Sequence, residues 1–132
     1  EAISTIEAGE EIILVTNPEM PAVTDALKAL KVAREKGKEI KGIVVTRHKN
    51  AKYEMPLSSI KSMLEANIIG VIPEDDSVKE SVVKRDAVVH THPRSKVSKK
   101  YNAIASKILN PNNGLNLNLK NKGFFSKLFG LD

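Results

Sequence analysis

Three short apolar runs constrain this chain more than anything else in it: "EIILVT" (Glu11 to Thr16), "EIKGIVVT" (Glu39 to Thr46) and "NIIGVI" (Asn67 to Ile72). None alternates polar with apolar residues as a half-exposed strand does, so each reads as a strand covered on both faces, the habit of parallel sheets. Parallel strands need long crossovers, and the intervening segments supply them. Pro21 to Lys36 carries Val23, Ala26, Leu27, Leu30 and Ala33 at spacings of three and four before Gly37, an amphipathic helix with a C-terminal stop. "MPLSSIKSMLE" sets Pro56 at a helix start and Leu57, Ile60, Met63 and Leu64 on one stripe. The order strand, helix, strand, helix, strand predicts an α/β fold with right-handed crossovers, part of a mostly parallel, doubly wound sheet flanked by helices.

Ahead of the first run, Ala2, Ile3, Ile6 and Ala8 recur at roughly helical spacing before Gly9, which reads as the end of a helix, so the chain is expected to begin within a larger fold. Beyond the third run, Ser77 and Glu80 fit a capping box, which predicts a helix from Val78. Ala87 to Val89 reads as a weak final strand. Ser95 to Leu109 places Val97, Tyr101, Ile104, Ala105 and Ile108 on one helical stripe. With 41% hydrophobic and 28% charged residues, one globular domain over 1–109 is expected. Residues 110–121, rich in Asn with Pro111 and Gly114, read as a flexible linker. Residues 122–132 read as a separate amphipathic element.

Composition removes several chemistries. The sequence has no cysteine, so it offers no disulfide, no thiol nucleophile and no thiolate for zinc or an iron–sulfur cluster. It contains neither G-x-x-x-x-G-K-[ST] nor G-x-G-x-x-G, so it holds no phosphate cradle of its own. No apolar run is long enough to span a bilayer, and no signal-peptide pattern opens the chain; a cytoplasmic location is expected. The net charge of +5 biases the chain toward anionic partners without choosing among them.

In open α/β sheets ligands sit beyond the carboxyl ends of the strands. The segments there are "TNPEMP" (Thr16 to Pro21), "TRHKN" (Thr46 to Asn50) and "PEDDS" (Pro73 to Ser77). Taken singly, each reads as helix caps and turn prolines; three together at one edge read as a binding rim. His90 and His92 in "HTHP" could share a strand face and ligate a metal, but no third ligand stands near them, so no metal site is assigned. Arg94, Lys96, Lys99, Lys100 and Lys107 read as a solvated basic face, with DNA or acidic lipid as the alternatives. Stacking on nucleic-acid bases is disfavoured, because Tyr53 and Tyr101 are the only aromatic residues before the tail.

All three phenylalanines lie in the terminal "NKGFFSKLFGLD". As a helix, that stretch gathers Phe124, Phe125, Leu128 and Phe129 on one side, with Lys122 and Lys127 toward the other or snorkelling. Burying each large side chain is worth about 1.5–3 kcal/mol and each lysine near anionic lipid about 1 kcal/mol. Ordering so short a segment opposes this, so one copy binds an anionic membrane weakly and two copies on one particle bind far better. Folding back on its own domain, or seating in a partner's groove, is the competing reading.

Several of these stretches coincide with one family. "EIILVTNPEMPAVTDALKALKV", "GIVVTRHKN", "MPLSSIKSMLEANIIGVIPEDDSVKESV" and "NKGFFSKLFG" together resemble the second half of the ParA/MinD family of deviant Walker P-loop ATPases, on its cell-division side. The resemblance implies an ATP-dependent switch: ATP with Mg2+ in the complete protein, a homodimer closed around nucleotide, reversible attachment to the inner face of the cell membrane, and release when a partner stimulates hydrolysis. It implies that Thr46, Arg47, Pro73, Glu74 and Asp75 form the adenine side of the nucleotide site. It also implies that Asp25 meets cell-division regulators of the Min type, and that Lys122, Phe124, Phe125, Lys127, Leu128 and Phe129 bind membrane. No catalytic or metal residue is carried over, tight nucleotide binding by this chain alone is not expected, and nucleic acid is an unlikely partner. The alternatives are a ParA-like partitioning ATPase contacting DNA and a non-catalytic α/β interaction module with a protein-binding tail.

Overall fold

The structure, a computed structural model, describes residues 6–110, which fall into two compact units divided between Glu74 and Asp75. The phenylalanine-bearing segment 122–132 and nearly all of the expected linker lie outside the described residues.

The first unit runs β1 (Glu11–Thr16), α1 (Met20–Glu35), β2 (Glu39–His48), α2 (Leu57–Leu64) and β3 (Ile68–Pro73). All three strands are parallel, in the order β1-β2-β3. Glu11 lies opposite Glu39 and Thr16 opposite Val45, with a register shift between Ile12 and Ile13. Residues 6–8 are helical and Gly9 is not, as the glycine stop predicts. The core gathers Val23, Ala26 and Leu30 of α1, Ile43 and Val45 of β2, and Ile60 and Leu64 of α2. Ile43 and Val45 are two apart and so share a sheet face, which places both crossover helices on that face.

Local chemistry ends the helices where the sequence says it should. Gly37 has φ +68°, its N–H donates to Arg34 O at 3.0 Å, and the Lys38 N–H donates to Ala33 O at 3.0 Å. That is a Schellman ending, which needs a residue free to enter the left-handed region. Helix α2 stops at Glu65, also left-handed at φ +49°, and here a distant residue completes the cap. One guanidinium nitrogen of Arg34 lies 2.8 Å from Leu64 O and 3.0 Å from Glu65 O, satisfying terminal carbonyls that α2 cannot pair itself.

The expectation of strands covered on both faces holds for β2, buried from Gly42 through Val45. It fails for β1, where Ile13 is 39% and Val15 61% exposed while Thr16 is buried. Helix α1 packs against β1 through Leu30 and its neighbours, while Ile13 and Val15 keep much of their surface exposed.

The second unit is helical: α3 (Asp76–Val83), α4 (Val88–Thr91) and α5 (Lys96–Leu109). Helix α3 starts two residues earlier than the capping-box reading put it. Its N-cap is Asp75, whose carboxylate accepts the Ser77 N–H at 2.8 Å, so Ser77 lies inside the first turn. The expected strand at 87–89 is instead the start of α4. The Asp86 carboxylate accepts the Ala87 N–H at 2.7 Å and lies 3.1 Å from His90 Nδ1, a pairing across four residues that an extended strand does not allow. Three apolar residues cannot make a strand without a neighbour to complete their hydrogen bonds. Ser95 caps α5 by accepting the Ser98 N–H at 3.1 Å, and the buried Ser98 hydroxyl sits 2.7 Å from His92 O and 3.0 Å from Val88 O, tying α4 to α5.

Candidate functional site

The carboxyl ends of β1, β2 and β3 form the edge at which the sequence places its rim. Thr16 is buried at the end of β1 and Pro18 is fully buried beyond it. The Asn17 side-chain oxygen is enclosed with no hydrogen-bond partner. The Thr46 hydroxyl of β2 reaches Thr16 O at 3.5 Å, the outer limit of a hydrogen bond, and the Met55 N–H donates to Pro18 O at 2.9 Å. These contacts hold the loop after β2 against the loop after β1.

The rim is electrostatically asymmetric. Glu74, with 19% of its side chain exposed, accepts Lys49 Nζ at 3.0 Å and stands 3.7 Å from the Arg47 guanidinium. Its own N–H donates to His48 O at 3.0 Å, extending the β2–β3 pairing by one step. The Arg47 side chain is 66% exposed, so its planar face remains open to a flat ring or an anion. Arg47 and Asn50 adopt left-handed backbone at φ +56° and +57°, a conformation that costs a non-glycine residue about 1–2 kcal/mol.

Of the expected site residues, Thr46, Arg47, Pro73 and Glu74 all sit on this edge of the first unit. Asp75 opens the second unit as the α3 N-cap. The Ser77 hydroxyl beside it, outside hydrogen-bonding geometry, and then the Ser77 N–H hold the Asp75 carboxyl below its ordinary value. His92 and Lys96 act in the same direction. Asp25 stands on the outer face of α1, its side chain 80% exposed and 3.9 Å from Lys28 Nζ. Lys122, Phe124, Phe125, Lys127, Leu128 and Phe129 lie outside the described residues.

The two histidines do not share a strand. His90 belongs to α4 beside Asp86, and His92 Nε2 lies 2.9 Å from Glu80. Among the described residues no group of three His, Asp or Glu side chains could hold a metal.

Sequence reasoning missed the pairing of one rim residue and the role of another. Lys49 lies within "TRHKN" but only the pairing of β2 with β3 brings it to Glu74. Glu54 folds its carboxylate back onto the Ala51 N–H at 2.6 Å and the Lys49 N–H at 3.1 Å, bracing the loop after β2. Burial acts to raise the Glu54 carboxyl, but those two N–H groups, with His48 and Lys49 nearby, hold it below the ordinary value. A depressed carboxyl stabilises fully above its unfolded value and loses that contribution as pH falls through the folded one. Glu54→Gln is therefore expected to lower the thermal midpoint at neutral pH and to match the parent at about pH 3, which thermal melts at the two pH values check.

The sequence profile of the family described as 4Fe-4S iron sulfur cluster binding proteins, NifH/frxC family, matches residues 3–126. An ATP-binding protein of Methanocaldococcus jannaschii is 31% identical over 134 residues, covering 98% of this chain and 51% of that protein. The septum site-determining protein MinD of Neisseria meningitidis is 28% identical over 141 residues, covering 98% and 52%. Among solved structures, MinD of Pyrococcus horikoshii with Mg-ADP superposes at a TM-score of 0.75 with 29% identity, over 80% of this chain and 44% of that one. An Aquifex aeolicus MinC:MinD complex, at a TM-score of 0.70 and 19% identity, shares the fold. The chain spans about half the length of the curated relatives it matches. The resemblance to MinD thus holds in both sequence and structure. The cluster in the family's description does not fit this chain, which has no cysteine to ligate it.

Proposed function

This chain belongs to the NifH/frxC family, and from that premise we propose that it is the C-terminal portion of a MinD-like ATPase, which positions the cell-division site through ATP-dependent dimerisation and reversible membrane attachment. One observation carries the reading: a parallel sheet whose carboxyl edge gathers Thr46, Arg47 and Glu74, in a fold shared with a MinD that holds Mg-ADP.

In this reading the rim takes the base end of ATP. The enclosed Asn17 oxygen is an acceptor without a donor, and the open Arg47 face suits a flat purine. Glu74 steadies Arg47 and Lys49 around it. Asp75 completes the adenine side, and Asp25 on the outer face of α1 meets regulators of the Min type. The phosphates and Mg2+ would be held by residues this sequence does not contain, since no phosphate-loop motif occurs in it. The complete protein is cytoplasmic and peripheral on the inner face of the membrane, with the Phe124 to Phe129 segment as its anchor.

ATP turnover tests the proposal. The 132-residue chain alone is expected to release phosphate no faster than buffer. In the complete protein, Arg47→Ala with Glu74→Ala is expected to weaken ATP binding about 10-fold to 100-fold, the loss of one or two charge-supported contacts. Turnover by the chain alone, or unchanged affinity in the double variant, would sink it.

A further inference from the structure

Tyr53 is the only Phe, Tyr or Trp among the described residues of the first unit, and the fold leaves it on the surface. Its relative exposure is 73%, and its hydroxyl has no hydrogen-bond partner among the described residues. A ring of this size ordinarily gains most from burial. The loop that carries it is nonetheless well anchored. Residues 49–56 run from the end of β2 to the start of α2 and so cross the carboxyl edge of the sheet. The Glu54 carboxylate accepts the Ala51 N–H at 2.6 Å and the Lys49 N–H at 3.1 Å, and the Glu54 N–H donates to Ala51 O at 3.1 Å. The Met55 N–H, 2.9 Å from Pro18 O, ties the far end of the loop to the loop after β1. Tyr53 lies inside these anchors, an open ring on backbone that is already set.

We infer that Tyr53 stacks on the base of the bound nucleotide and favours purines over pyrimidines; the inference rests on the reading of this rim as the base end of the ATP site. A ring on fixed backbone loses little further freedom when a ligand covers it. Arg47, at the same edge with its side chain 66% exposed, offers a second flat surface, and flat heterocycles stack on both phenol rings and guanidinium planes. A protein groove would instead reward a cluster of apolar side chains. Along this loop the neighbours of Tyr53 are Lys49, Asn50, Ala51, Lys52 and Glu54, which supply no such cluster, and Met55 packs against the core. Stacking grows with the area of ring covered, so a two-ring base gains more than a one-ring base. A phenol face reads no exocyclic group, so Tyr53 separates purine from pyrimidine and leaves the choice between purines to hydrogen-bonding groups.

Competition binding of ATP and CTP to the complete protein tests this. Tyr53→Ala is expected to weaken ATP binding about 10-fold and CTP binding by no more than about 3-fold, while Tyr53→Phe binds both as the parent does. Both variants should keep the parent's circular dichroism and thermal midpoint, because the side chain is exposed. Parental ATP affinity in the alanine variant overturns the inference; if that variant loses only its binding to a cell-division regulator, Tyr53 belongs to a protein interface instead. Equal losses for ATP and CTP also overturn it, as does a loss shared by Tyr53→Phe, which would assign the effect to the hydroxyl. Comparison with Arg47→Ala/Glu74→Ala separates this inference from the reading beneath it. If the double variant weakens ATP binding and Tyr53→Ala does not, the rim holds the base without Tyr53. If neither weakens it, the base end lies elsewhere and both fall.

Discussion

Phe124→Glu with Phe129→Glu is expected to release the chain from anionic vesicles, lowering its partition coefficient by 100-fold or more. Withdrawing two large side chains from the acyl boundary forfeits about 3–6 kcal/mol, which corresponds to about 10²–10⁴-fold in binding. The new carboxylates add repulsion from a surface of the same sign. Phe124→Leu with Phe129→Leu keeps most of the apolar area and should stay within about 10-fold of the parent. The energetics also set how the anchor is used. One short amphipathic segment gains little after its ordering cost, whereas two on one dimer bind through effective concentration. In the complete protein, binding should therefore rise steeply on addition of ATP if nucleotide drives pairing. A glutamate variant that floats as well as the parent would remove the anchor and, with it, the membrane half of the proposed function.

Gly42→Ala is expected to destabilise the first unit by about 2–4 kcal/mol, a large share of the roughly 5–15 kcal/mol that holds a domain folded. Gly42 lies in β2 beside the register shift, at φ +153°, a region that residues with a Cβ rarely enter. An added Cβ would overlap Ile69 Cγ2 and stand 3.0 Å from Asn67 O. That carbonyl cannot retreat freely, because it accepts the Ile43 N–H at 2.8 Å. The change thus strikes the β2–β3 pairing that brings Arg47 and Lys49 to Glu74. Gly37→Ala is the control: its φ is +68° but nothing lies within 4 Å of the added carbon, so only the conformational cost of about 1 kcal/mol is due. Urea unfolding should show the Gly42 midpoint lower by about 1–2 M and the Gly37 midpoint by less than half of that. Equal shifts would mean that the close contact with Ile69 and Asn67 does not govern this position.

Much of the fold was legible because its signals are local. The run of Val23, Ala26, Leu30 and Ala33 marks a helix by spacing alone, and the same residues are the ones α1 buries. The three apolar runs became the three parallel strands, the first with the bounds read from sequence, the second two residues longer and the third one residue later. Where the reading failed, neighbours decided. Ala87 to Val89 is apolar enough for a strand, yet Asp86 and His90 bond across a helical turn there. Val15 belongs to an apolar run, but its exposure depends on which elements cover β1. In the site, Thr46, Arg47, Pro73 and Glu74 could be placed on one edge from strand order. Glu54 could not, and the pairing of Lys49 with Glu74 could not, since nothing in their spacing records the register shift that turns the end of β2.

The sequence by itself determined that this is a parallel α/β chain whose first crossover helix ends at Gly37, that no thiolate chemistry is open to it, and that its three phenylalanines gather within 124–129. Each follows from residue type and short-range periodicity, which are properties of the chain before it folds. Only the tertiary structure decided that Arg34 closes the end of α2, that Glu74 draws Arg47 and Lys49 together, that Ile13 and Val15 of β1 stay exposed, and that the lysines of α5 face outward. Those depend on register and packing, which join residues far apart in the chain. A shift of one residue in a strand moves every side chain to the opposite face.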